Sequence, residues 1–117
     1  MVTFKIFENE TAVHDYKSGE TIFAQNQPGD VMYAVLSGEV DIVRDQRLLE
    51  TIGSGCVFGE MAIIDGLPRS AAAIARTDCR VATISEHRFN QLVSHNTYFA
   101  LEMMRLLCER LRRNLST

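Results

Sequence analysis

From about Ala12 to Ile84 the apolar residues fall in short runs, broken every roughly eight to twelve residues by turn-forming residues, the spacing of an all-β sandwich or barrel. The breaks carry recognisable chemistry: Ser18-Gly19, Pro28-Gly29-Asp30, Ser37-Gly38, and Gly53-Ser54-Gly55. Every position from Val31 to Leu36 is apolar, as in a central strand covered on both faces. Val40 and Ile42 instead alternate with Glu39, Asp41 and Arg44, so that strand has a polar face. Between these two runs, Ser37-Gly38 predicts a two-residue hairpin turn. Ala71–Ala75 and Arg80–Ile84 form a second apolar pair joined through Thr77-Asp78, which would return the chain to the barrel.

At Ser85 the period lengthens to that of a helix. Ser85 is suited to cap it, Glu86 lies in the first turn, and Phe89, Leu92 and Val93 recur on one face. His95-Asn96 ends this helix, and a second is predicted from about Thr97 to Leu115. Phe99, Met103, Leu106 and Leu107 share one side of it; Leu101, Met104, Cys108, Leu111 and Leu115 follow a three-four spacing on the other. Two stripes imply two partners. The second stripe is too short to separate plain core from a seam for another copy of the chain.

The size and composition narrow the class. The 117 residues, 46% apolar, suffice for one core, and the whole chain reads as a single domain, with the β part at about 12–84 and the helices at about 85–115. A formal net charge of −3 gives no general attraction to nucleic acid or an anionic membrane, so any anion must be caught locally. Ten of the twelve cations are Arg, the side chain suited to bidentate phosphate contacts. Cys56, Cys79 and Cys108 lack the close pairs of zinc or redox sites and read as reduced thiols, which places the protein in a cytoplasm. No apolar run approaches the roughly 18 residues of a membrane helix, and the N-terminus lacks the regions of a signal peptide.

The most informative stretch is 58–71, FGEMAIIDGLPRSA, between the two β-rich blocks. Gly59 lets its backbone approach a ligand closely or take positive φ, and Glu60 to Ile64 would form one helical turn whose free N–H groups face an anion. Arg69 would supply the full positive charge. A carboxylate beside such a site repels phosphate unless it has a donor of its own to hold, and a ribose 2′-hydroxyl is one; Glu60 and Arg69 together fit a ribose bonded to a phosphate. Ser70 adds a hydroxyl, Ala71 a backbone N–H, and the small Ala71, Ala72 and Ala73 leave room for a purine.

This stretch resembles the phosphate-binding cassette of the cyclic-nucleotide-binding domain family. The flanking GETIFAQNQPGDVMYAVLSGEVDIV at 19–43 resembles the same family, and the likeness covers about residues 12–115. It implies a mainly β fold, a β-roll or jelly-roll barrel followed by two α-helices. By that likeness Glu60 would hold the 2′-hydroxyl and Arg69 the exocyclic phosphate oxygens, with Gly59, Met61, Ala62, Ser70 and Ala71 completing the sugar-phosphate cradle. Leu49, Ile52 and Met61 would wall the base, and Leu111, Asn114 and Leu115 of the last helix would close on it. Ser70 after the Arg resembles bacterial cyclic-AMP-responsive regulators, which favours cAMP over cGMP.

The resulting expectation is a regulatory module with no cofactor and no catalytic residues, whose ligand is a cyclic nucleotide and whose last helix relays binding, as a homodimer seam or a partner surface. The competing readings are a barrel that kept the fold and lost the ligand, or the sensor piece of a larger transcription regulator, kinase or channel. DNA reading has no support within these residues, which hold no helix-turn-helix. Arg105, Arg110, Arg112 and Arg113 read as a solvated face suited to the negative end of the helix dipole, and His14, His87 and His95 show no metal spacing.

Overall fold

The computed structural model describes residues 2–115, with side chains described as far as residue 113. Eight strands form two four-stranded antiparallel sheets. The first contains β1 (Val13–Tyr16), β8 (Cys79–Ser85), β3 (Val31–Ser37) and β6 (Val57–Phe58), in that order. The second contains β2 (Thr21–Phe23), β7 (Ala72–Ala75), β4 (Val40–Arg44) and β5 (Arg47–Ile52). The sheets face each other without closing into a barrel, in the jelly-roll arrangement expected from the sequence.

The all-apolar run of β3 is explained by its two neighbours. Tyr33 and Val35 point between the sheets, where they pack with Phe23, Val40, Phe58 and Val81. Met32 and Ala34 point the other way, into a second core shared with Ala82, Ile84 and the helices. β8 divides its apolar side chains in the same manner, so β3 and most of β8 are covered on both faces, whereas the outer strand β1 is partly exposed and Arg80 beside it is exposed.

One expected connection is corrected. Ser37-Gly38 does not close a hairpin, because β3 and β4 lie in different sheets, and β7 and β8 are likewise unpaired with each other. Both junctions are corners that cross between the sheets, and they are fastened together: Glu39 N–H donates to Thr77 Oγ1 at 3.0 Å and Arg76 N–H to the Glu39 carbonyl at 3.0 Å. Gly38 has φ +83, and a Cβ there would meet the Asp78 carbonyl and lie 2.6 Å from Cys79 Cβ. The Gly is needed for close approach of two corners rather than for a hairpin twist. The chain's true tight hairpin joins β4 to β5 through Asp45 and Gln46, both at positive φ (51 and 67), without the Asn-Gly signal such turns usually carry.

Ser85 caps α2 (Glu86–His95), accepting from Arg88 N–H at 3.1 Å, and Asn96 caps α3 (Thr97–Leu115), accepting from Phe99 N–H at 3.0 Å. Phe99, Met103 and Leu106 bury the inner stripe of α3, whereas Leu101, Met104, Cys108 and Leu111 are exposed. The outer stripe is therefore not core. Residues before Ala12, silent in the hydrophobic pattern, are structural: Val2, Phe4 and Phe7 are buried, and Phe4 and Phe7 meet Phe99 edge-on at ring separations of 5.8 and 5.9 Å. Among the described residues no helix is long and apolar enough to cross a membrane.

Candidate functional site

A cleft opens where β6 ends, and α1 (Glu60–Asp65) forms one wall of it. Phe58 completes β6, and Gly59, at φ 79 and ψ 11, then turns the chain through the left-handed region into α1. A Cβ at Gly59 would lie 2.9 Å from Arg69 Nη1 and 3.3 Å from the Tyr33 ring, so both the backbone angle and the space require glycine. No side chain caps α1.

Arg69 reaches this cleft from the segment before β7, and it is only 5% exposed. Its backbone is pinned to the loop after β2: Arg69 N–H donates to the Gln27 carbonyl, and Asn26 N–H to the Arg69 carbonyl, both at 2.8 Å. Its guanidinium donates from Nη1 to the Gly59 carbonyl (2.7 Å) and from Nη2 to the Val31 carbonyl (2.8 Å), and lies 4.2 Å above the Phe23 ring. Two backbone carbonyls and an aromatic face fix the plane of a five-donor group while leaving other N–H donors unspent, among them the buried Nε, which has no partner. Burial draws the guanidinium below its ordinary pKa, opposed by Tyr33, Asp30 and Glu60.

Glu60, the first residue of α1, is 2% exposed. Its Oε1 accepts from Arg110 Nη1 of α3 at 2.5 Å, and its Oε2 is buried without a partner. Arg110 also donates to the Val57 carbonyl (2.6 Å) and to Glu50 Oε2 on β5 (3.2 Å), and Arg113 pairs with Glu50 Oε1 at 2.7 Å. A buried carboxylate is tolerable only with such compensation, and α3 supplies it. One cleft thus presents two incompletely bonded charged groups of opposite sign, a guanidinium with its own anchors and a carboxylate with one free oxygen.

The residues marked in the sequence divide clearly. Gly59, Glu60, Met61, Ala62, Arg69, Ser70 and Ala71 all line the cleft, as does Leu49. Ile52 does not: it is 1% exposed in the core between the sheets, because its position on β5 faces inward opposite Val40. Leu111 does not either; it lies on the outer side of α3, 59% exposed, with the helical turn carrying it away from the cleft. The side chains of Asn114 and Leu115 lie outside the described residues.

Arg105, Arg112 and Arg113 are exposed, as a solvated face requires, but Arg110 is not part of that face. Its side chain is 16% exposed, and it continues the buried stripe Phe99, Met103, Leu106 at the next helical step. That register was the available signal, since a cation on a buried face demands an anion. Glu50 carried no comparable signal, because its partner α3 is distant in sequence. Among the described residues, no group of three or more His, Cys, Asp and Glu side chains is placed to hold a metal ion.

The comparisons with known proteins agree with this geometry. The family model described as "Cyclic nucleotide-binding domain" matches residues 13–96. The chain is 32% identical over 104 residues to the "CRP-like cAMP-activated global transcriptional regulator" of Mycobacterium tuberculosis, an alignment spanning 85% of this chain and 46% of that protein. It superposes on the Thermus thermophilus catabolite activator protein with a TM-score of 0.79 at 31% identity, covering 87% of this chain and 50% of that one. It also superposes on the cAMP-bound form of EAL enzyme Bd1971 with a TM-score of 0.67 at 33% identity, over 89% of this chain and 29% of that one; the same enzyme is known in a cGMP-bound form. The chain spans about half the length, or less, of these relatives. With its fold, its cleft and its matched residues in agreement, this chain belongs to the cyclic nucleotide-binding domain family.

Proposed function

We propose that the chain is a sensor that binds one cyclic purine nucleotide in this cleft, cAMP in preference to cGMP, and passes the binding event to α3. The observation that carries the reading is that a buried guanidinium, Arg69, and a buried carboxylate with an unpartnered oxygen, Glu60 Oε2, line one cleft. Buried polar atoms are ordinarily satisfied, so a buried cation and an open carboxylate oxygen lining the same cavity suit a ligand bearing both an anion and a hydroxyl donor. The cyclic phosphate would take the Arg69 guanidinium, Ser70, and the backbone of Ala62 and Ala71. Gly59, Glu60 and Met61 would take the ribose, its 2′-hydroxyl donating to Glu60 Oε2.

The base would lie toward Leu49, with Asn114 and Leu115 as candidates for the lid. Ser70 supports the preference for cAMP through its likeness to cAMP-responsive regulators. The relay would run through Arg110. Because this α3 residue already holds Oε1 of Glu60, filling Oε2 changes a group that α3 grips directly. Ligand and helix position are then thermodynamically linked, provided the ligand binds one α3 position more tightly. The exposed stripe Leu101, Met104, Cys108 and Leu111 is the surface we assign to a second copy of the chain or an output partner.

The module works by binding rather than by catalysis, in the cytoplasm, without a cofactor. Displacement of a fluorescent cyclic nucleotide tests the base preference: cAMP should displace it at several-fold lower concentration than cGMP. The opposite order would reverse the preference, and displacement by neither would end the reading.

A further inference from the structure

We propose that Glu50 is a positioning residue for the ribose clamp, acting through Arg110 on Glu60; the proposal rests on the reading of Glu60 as the acceptor of the 2′-hydroxyl. Glu50 sits on β5, the edge strand of the second sheet, and its side chain is 20% exposed. Its two oxygens are divided between two cations of α3, Oε2 accepting from Arg110 Nε at 3.2 Å and Oε1 pairing with Arg113 Nη1 at 2.7 Å. Every nitrogen of Arg110 is then assigned: Nε to Glu50, Nη2 to the Val57 carbonyl, and Nη1 to Glu60.

A guanidinium is planar, so fixing Nε and Nη2 fixes the direction of Nη1. Nη1 in turn decides which oxygen of Glu60 is occupied and which is free. Glu50 therefore governs the orientation of a carboxylate that it does not touch. It also neutralises charge: Arg110 and Arg113 lie three residues apart on α3, where like charges repel, and Glu50 lies between them. Glu50 and Glu60 together balance Arg110 and Arg113, while Arg44 and Arg69 also line the cleft and are what it offers a phosphate.

Without Glu50, Arg110 keeps only the Val57 carbonyl to set its plane. Its Nη1 can then shift, and Glu60 shifts with it, so the aim of Oε2 is lost. This differs from a role in merely docking α3, which would affect every cleft ligand alike. A 2′-deoxy ligand separates the two, because it lacks the group that Oε2 receives.

The experiment titrates the wild-type chain and Glu50→Gln with cAMP and with 2′-deoxy-cAMP. Glutamine has nearly the shape of glutamate, and a thermal melt checks that the variant is folded. The wild type should prefer cAMP by about tenfold or more, as a hydrogen bond to a buried charge warrants. Glu50→Gln should lower the cAMP affinity by roughly five- to tenfold and shift the 2′-deoxy affinity by less than about twofold, collapsing the preference. Equal losses for both ligands, or no loss for either, would overturn the positioning role while leaving nucleotide binding intact. A wild-type chain indifferent to the 2′-hydroxyl, or blind to both ligands, would overturn the reading of Glu60 itself, and this proposal with it.

Discussion

Replacing Arg69 with alanine is expected to lower the affinity for cAMP by roughly ten- to a hundredfold while the two sheets stay folded. The magnitude follows from the loss of charge-assisted contacts to phosphate, worth about 1.5–3 kcal/mol. The fold should survive because Arg69 sits at the cleft wall, outside the two apolar clusters that build the core. Some stability is nonetheless lost, since the carbonyls of Gly59 and Val31 lose a donor and the Phe23 ring loses its cation. Arg69→Lys should also bind weakly, because an ammonium keeps the charge but cannot span both carbonyls and present the same fork. Calorimetry and a thermal melt on the same preparations check both halves. Unchanged affinity in Arg69→Ala would remove this residue from the site.

The second large effect is expected at a residue that touches no ligand in this account. Gly29 does not have positive φ, so its backbone would accept alanine, but the Arg69 guanidinium passes directly over its Cα. An added Cβ would collide with Nε and Cζ and lie 2.7 Å from Nη2. The guanidinium is the flexible end of its side chain and would yield, abandoning the plane set by Gly59, Val31 and Phe23. Gly29→Ala should therefore weaken cAMP binding on the order of tenfold or more, close to the loss from removing Arg69. Gly53→Ala is the matched control: nothing lies within 4 Å of its Cβ position, and its φ is ordinary. Gly53→Ala should bind as the wild type does. If Gly29→Ala did too, the position of the Arg69 side chain would not matter to the ligand.

Much of this arrangement was legible in the residues before the structure. Ser85 and Asn96 mark the helix boundaries because capping is local, and β3 announced its burial on both faces because a run without a polar residue has no other stable place. The cleft segment 58–71 was legible because Gly59, Glu60 and Arg69 are close in sequence and joined by one short helix.

What escaped was long-range. Ser37-Gly38 has hairpin chemistry, but its partner is the corner at Thr77-Asp78, and local residues do not say which sheet a strand will join. Val2, Phe4 and Phe7 are too few to show a period, and their burial depends on Phe99, far along the chain. Arg110 was misjudged by composition, its neighbours Arg112 and Arg113 suggesting a solvated stripe, although its helical register matched the buried face. Ile52 was misplaced by one alternation of β5: Leu49 lines the cleft, whereas Ile52 turns into the core.

The central claim is that this cleft holds a cyclic nucleotide between Arg69 and Glu60. Calorimetric titration of the wild-type chain with cAMP tests it most directly. Saturable binding at one site per chain, with a dissociation constant on the order of micromolar, is the predicted result. A folded preparation that gives no saturable heat with millimolar cAMP would contradict it.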